Sequence, residues 1–309
     1  MFIGVLPLRV NHALGALLGR LVWQFSQRHR QVTSDNLNQY ASSRALDAGT
    51  HAGLLRRAMI EQGKSFTELA VAWTASLARL NRLVLRCPDW HHVDAAITAN
   101  RSIIFVSPHL GCFDIAGLYI ADRLPITALY RPPKQPWLEP IMQAGRARGG
   151  VTTAPANARG VRALLKTLKA NGNIMILPDQ VPAAESGGEG VWADFFFRPA
   201  YTMTLLPRLA ATANAAVLFF FAERLPGGGG YQMHIVPLNE PYSTDKLIAA
   251  NQTNTMIEKL IDMAPAQYLW GYNRYKQPAG APPPPLSSSS PPSPPSPPFP
   301  PAAATAASN

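Results

Sequence analysis

From residue 103 to residue 263 the chain alternates short apolar runs with helical stretches, and this alternation narrows the available folds more than any other feature. The runs IIFVS (103–107), ITALY (126–130), NIMIL (173–177), AVLFFFA (216–222) and YQMHIV (231–236) read as strands. Between them, residues 112–123, 136–148, 157–170 and 202–213 read as helices, and 244–263 reads as a long helix capped by Ser243 or Thr244. Strands that are apolar throughout, rather than alternating, need cover on both faces. The expected fold is therefore α/β, with a mixed, mostly parallel central sheet covered by helices on both faces. Ligands in such sheets bind beyond the C-terminal ends of the strands. The stretches 108–114, 131–134 and 178–180 fall there.

Upstream, Val10, Leu14, Leu17, Leu18, Leu21 and Phe25 share one helical face, and the basic residues Arg28 and Arg30 follow. This pattern fits a helix lying on or anchored in a membrane, and it equally fits an amphipathic helix packed on the core. Residues 31–100 read as helical, most strongly over 54–85. From about residue 277 the chain is rich in Pro, Ser and Ala and lacks the apolar content to order itself. The expected organisation is a membrane-associated amphipathic helix over 1–30, an α/β domain over 31–276 and a disordered tail over 277–309.

The chemistry concentrates at the first strand-to-helix turn, Pro108-His109-Leu110-Gly111-Cys112-Phe113-Asp114. A spacing of five places His109 and Asp114 about 140° apart on a continuous helix. They can meet only if His109 precedes the helix and Asp114 begins it. Asp114 could then accept one imidazole N–H and leave the other nitrogen free to take a proton from a hydroxyl. Read alone, the pair also fits a structural contact or two unrelated residues. Arg131 and Lys134 follow the next strand in YRPPK, where a guanidinium suits phosphate. Asp179-Gln180 follows NIMIL and could bind substrate or close a loop. Cys112 lacks the surroundings of a thiol nucleophile and reads as a packing residue. No GxSxG, P-loop or GxGxxG occurs.

Composition limits the partners. Charged residues make up only 15% of the chain, yet the net charge is +10, so the charged surface is mainly basic. Such a surface suits anionic lipid or an acidic protein. Nucleic acid is disfavoured, because the basic residues are not interleaved with aromatics in any known module. The 2 cysteines form no CxxC, which argues against a disulfide scaffold or a zinc site and fits a reducing compartment.

Five segments together resemble the bacterial lipid A biosynthesis (lauroyl and myristoyl) acyltransferases, within the wider glycerolipid acyltransferase superfamily. They are HLGCFD (109–114), YRPPKQPWLEP, GVRALLKTLKANGNIMILPDQVP, FFFRPAYTMTLLPRLA and PAQYLWGYNRYK. The resemblance runs from about Leu6 to Lys276. It implies an O-acyltransferase at the cytoplasmic face of the inner membrane, moving a fatty acyl chain from an acyl carrier protein thioester to a hydroxyl of a lipid A precursor. It implies His109 and Asp114 as the catalytic pair. Gly111, Arg131, Lys134, Asp179, Gln180 and Phe196 would serve the substrate. No cofactor or metal is implied; acyl carrier protein or coenzyme A thioester is a co-substrate. Cys112, Asp114 and Phe197 stand where Asn, Glu and Gly are common in the family. Other readings are an acyltransferase acting on a lysophospholipid, ornithine lipid or glycolipid, and a non-catalytic lipid-binding protein.

Overall fold

The computed structural model describes residues 4, 6–133, 135–182, 188–212 and 215–285. Its strands are β1 (Val84–Arg86), β2 (Ile103–Val106), β3 (Ile126–Tyr130), β4 (Val151–Pro155), β5 (Asn173–Ile176), β6 (Gly190–Phe195), β7 (Arg198–Met203), β8 (Ala216–Arg224) and β9 (Tyr231–Pro237). The helices are α1 (Leu8–Phe25), α2 (Gln27–Ser43), α3 (Ala48–Thr74), α4 (Leu77–Leu83), α5 (His91–Thr98), α6 (Phe113–Ala121), α7 (Glu139–Arg146), α8 (Ala158–Lys169), α9 (Leu205–Ala211) and α10 (Lys246–Met263). Seven strands form one sheet in the order β1-β9-β8-β2-β5-β3-β4. Every pairing in it is parallel except β8 with β9.

Apolar strands force the two-sided cover seen here. Ile103 and Phe105 of β2, with Leu218 and Phe220 of β8, point into a core closed by α3, α4, α5 and α6. Their neighbours Ile104, Val106, Val217 and Phe219 point into a second core closed by α2, α8, α9 and α10. Successive side chains alternate faces, so neither face of the sheet could be left wet.

Several local expectations are corrected. Residues 198–203 form β7, paired antiparallel with β6, so Thr202, expected to begin the helix over 202–213, is a buried strand residue. Its Oγ1 accepts hydrogen bonds from Arg274 and Asn254. The helical stretch 54–85 breaks after Thr74, because the Ser76 side chain accepts from Arg79 N–H and starts a new helix. Asp245, one residue beyond Thr244, caps α10 through Leu247 and Ile248 N–H. Residues 286–309 of the low-complexity tail lie outside the described residues. The part before them is tied down: Trp192 Nε1 donates to Pro282 O at 2.8 Å.

Helix α1 is built with its apolar face outward. The face against α3 consists of Leu8, Asn11, His12, Gly15 and Gly19. Asn11 Nδ2 donates to Thr67 O at 3.0 Å, and His12 Nε2 lies 2.7 Å from Glu68 Oε1. A side chain on Gly63 of α3 would meet Gly15 O at 2.0 Å, so the two backbones touch. Val10, Leu14, Leu17 (52% exposed), Leu21 and Phe25 (82%) face out of the protein. Among the described residues no helix is long and apolar enough to cross a membrane.

Candidate active site

Sheet register assembles the site. β2 and β5 pair in parallel with Val106 opposite Ile176, and Ser107 N–H continues the ladder to Ile176 O at 3.1 Å. Each strand then passes a proline, Pro108 or Pro178, and delivers a polar residue to the same edge: His109 from β2, Asp179 from β5. His109 Nδ1 lies 2.7 Å from Asp179 Oδ1, and His109 N–H donates to Asp179 Oδ2 at 2.9 Å. Asp179 is only 2% exposed. Burial pushes its carboxyl up, but the His109 charge, the two His109 hydrogen bonds and the Arg274 charge outweigh burial and hold it below the ordinary aspartate range. Tyr268 is buried near this carboxylate; burial first, then the Asp179 charge, raise its hydroxyl pKa well above the usual tyrosine value.

The Asp179 carboxylate fixes the imidazole proton on Nδ1 and leaves Nε2 as an acceptor. Gln180 Nε2 takes that position, 3.2 Å from His109 Nε2. The Phe113 ring packs edge-on against the imidazole at 4.9 Å.

The imidazole partner expected from spacing was Asp114, and the structure gives that bond to Asp179. His109 does precede α6 and Asp114 does lie in its first turn. That turn, however, aims Asp114 at α3 and α7. Arg146 Nε and Nη2 donate to its two carboxylate oxygens at 2.7 and 3.2 Å, and Trp73 Nε1 approaches at 3.4 Å. Burial acts to lower the Arg146 pKa, but the Asp114 charge and hydrogen bond raise it above the ordinary arginine value. Arg146 is a site residue that the local pattern does not single out among its basic neighbours.

Gly111 supports the turn from behind. Its φ of +59° and a would-be Cβ only 2.0 Å from Ala222 O leave room for glycine alone. Gly111 N–H donates to Gln267 O at 3.2 Å, Leu269 N–H donates to His109 O at 3.0 Å, and Arg224 Nη2 donates to Gly111 O at 2.8 Å. Arg224 is in turn paired with Glu68 Oε2 at 2.7 Å, and Tyr231 Oη donates to Glu68 Oε1 at 2.8 Å. Cys112 is buried, and burial first and Glu68 second push its thiol well above the usual value. It is therefore no nucleophile.

A cavity of about 550 Å³ opens beside the dyad. Its walls come from both faces of the sheet, with Leu118, Val151 and Met175 on one side and Leu129, Ile176 and Leu205 on the other. His109, Asp114, Arg131, Arg146 and Gln180 supply polar atoms to it. Lys134 lies outside the described residues. Gly111 and Phe196, expected at the substrate, do not line it. Phe196 sits at φ +51° with Phe197 at +60°, in the two-residue turn between β6 and β7. Its ring is fully buried, in contact with Tyr40 at 5.1 Å. Among the described residues no three His, Cys, Asp or Glu side chains gather so as to hold a metal ion.

An imidazole–carboxylate pair thus lies at the edge of a mostly parallel sheet, beside a cavity lined largely by apolar side chains. The family follows from comparison with known proteins. Residues 1–277 match the model of the bacterial lipid A biosynthesis acyltransferases, and the chain belongs to that family; it is an acyltransferase of lipid A biosynthesis. It is 28% identical over 292 residues to the lipid A biosynthesis palmitoleoyltransferase of Escherichia coli (strain K12), covering 89% of this chain and 88% of the relative. The E. coli lipid A biosynthesis lauroyltransferase is 26% identical over 288 residues, with 90% and 89% covered. A lipid A biosynthesis acyltransferase of Haemophilus influenzae is 29% identical over 181 residues, 58% of this chain and 55% of the relative.

Proposed function

We propose that the enzyme transfers a fatty acyl chain from an acyl carrier protein thioester to a hydroxyl of a lipid A precursor, with His109 as general base. The observation that carries this reading is the His109–Asp179 dyad at the mouth of the apolar cavity. The acceptor hydroxyl replaces the Gln180 amide at Nε2. Its proton passes to Nε2 as its oxygen attacks the thioester carbonyl carbon. The new C–O bond forms, the C–S bond breaks, and the departing thiolate takes the proton back from the imidazolium. Asp179 holds the ring and its tautomer and stabilises the transient positive charge. Arg131, exposed at the end of β3, and Arg146, with 30% of its side chain exposed, put guanidinium groups where an acceptor phosphate can reach them.

A strain lacking the gene is expected to yield lipid A one acyl chain short by mass spectrometry. The wild-type gene should restore the chain and the His109→Ala gene should not, although that protein folds and fractionates normally. Unchanged acyl number in the deletion strain would remove lipid A as the acceptor, and near-normal transfer by His109→Ala would remove the base.

The outward apolar face of α1 supports a membrane-surface location at the cytoplasmic leaflet of the inner membrane. The helix carries Arg9 and Arg20 and no acidic residue, which suits anionic lipid. Replacing Leu14, Leu17 and Leu21 by Gln should shift the protein from vesicles containing phosphatidylglycerol to the supernatant on sedimentation, by at least ~10-fold in partitioning. Thermal stability should change much less than vesicle binding, since these residues are 42–52% exposed. Unchanged vesicle binding would refute the placement.

A further inference from the structure

Helix α8 turns one face to the second core through Gly160, Leu164 and Leu168. Its opposite face carries Arg159, Arg162, Lys166 and Lys169, spaced three, four and three residues apart, so all four project along a single line. Apart from Ala158 they are the exposed positions of the helix. The helix contains no acidic residue, and among the described residues none of the four is paired with a carboxylate. A row of like charges is a cost to an isolated helix. This row also has a fixed position relative to the chemistry: Asn157, Ala158 and Val161, in the first turn of α8, line the cavity beside His109.

We propose that this cationic row is the docking surface for the acidic protein that delivers the acyl thioester, presenting its carboxylates along α8 with the acyl chain directed into the cavity. The inference rests on the carrier-thioester reading of the reaction and adds the place of contact. Two observations favour a protein over a lipid surface. A helix that rests on a bilayer carries exposed apolar residues among its cations, as α1 does with Leu14, Leu17 and Leu21; the exposed line of α8 has none. The row also spans roughly 15 Å at 1.5 Å per residue, the length of a short acidic helix with carboxylates at the same three- and four-residue spacing. Charges arranged in this way raise the encounter rate and fix the register of the bound partner.

The test uses the full-length Arg162→Glu/Lys166→Glu variant; neither side chain lines the cavity. With a dodecanoyl-loaded acyl carrier protein, KM should rise at least ~10-fold while kcat changes little, and the wild-type KM should itself rise with salt as the contact is screened. With the coenzyme A thioester of the same chain, both parameters should stay within about twofold of wild type, because no protein surface is read. Sedimentation with phosphatidylglycerol vesicles should be unchanged. An unaltered KM for the protein-borne donor overturns the proposal, whether the vesicle assay shows the row to be a lipid contact or nothing changes at all. Binding of the loaded carrier to wild type and variant, followed by titration calorimetry, separates the two levels. Charge-dependent binding without acyl transfer to the lipid A precursor would overturn the acceptor and keep the docking surface. Equal binding by wild type and variant would overturn the docking surface alone.

Discussion

Asp179→Asn is expected to lower kcat by about 10³- to 10⁴-fold with KM nearly unchanged and the circular dichroism spectrum intact. The side chain it alters does not line the cavity, so no substrate contact is removed. The variant loses a carboxylate that accepts both the Nδ1–H and the backbone N–H of His109. An amide of the same shape can donate to Nδ1, which would leave the proton on Nε2, where the acceptor hydroxyl needs a lone pair. It also supplies no negative charge to the imidazolium. Asp114→Asn should act differently. It loosens the bidentate hold on Arg146 at the cavity wall, so it should alter the KM for the phosphorylated acceptor as well as kcat. A dyad between His109 and Asp114 would reverse this division: a pure kcat effect from Asp114→Asn and near-normal turnover by Asp179→Asn would refute the His109–Asp179 dyad.

The sheet was legible in the sequence because its central strands are apolar on both sides, and only a doubly covered sheet can bury them. The helices between them were legible to within a few residues. Edge elements were not. β4 reads VTTAP and β1 reads VLR, too polar or too short for a periodicity argument, and β6 with β7 form a separate hairpin whose turn uses two phenylalanines at positive φ instead of the expected glycine. The site divides in the same way. His109 was visible because it follows a strand at a proline. Proximity along the chain points to Asp114 as its partner, whereas the sheet pairs residues by register at a distance of 70 positions. The usable signal was the shared form of two strand ends, Ser107-Pro108-His109 and Leu177-Pro178-Asp179, which parallel neighbours bring side by side. Arg224, held between Glu68 and Gly111 O, needed the tertiary structure, since these partners lie 156 and 113 positions away along the chain.

The second large effect is expected at that buried cluster. Glu68→Gln should cost about 3–5 kcal/mol at neutral pH, a fall in Tm on the order of 10 °C, because the buried Arg224 guanidinium loses its hydrogen-bonded carboxylate and keeps only the looser Glu61 contact at 3.6 Å. Both side chains are almost inaccessible, 0% for Glu68 and 2% for Arg224, so solvent cannot make up the loss. The pH dependence identifies the cause. Burial pushes the Glu68 carboxyl up, yet the Arg224 charge and the His12 and Arg224 hydrogen bonds overcome it and hold the group at about 2, against an ordinary value of 4.5. An acid whose folded pKa is depressed adds stability above its unfolded value and loses it as pH falls through the folded one. Wild type should therefore lose this contribution between about pH 4.5 and pH 2, ending with a neutral side chain of the same shape as glutamine. The difference in Tm between wild type and Glu68→Gln should be large at pH 7 and shrink steadily through that window. A gap that stays constant with pH would mean that Glu68 matters for its packing and not for its charge. The double variant Glu68→Met/Arg224→Met makes the complementary test: removing both charges should recover part of the lost stability, the remainder being the cost of leaving His12 Nε2 and Tyr231 Oη without their Glu68 acceptor. It still leaves Gly111 O without its donor behind the His109 turn, so its turnover should remain below wild type at a temperature where both proteins are fully folded.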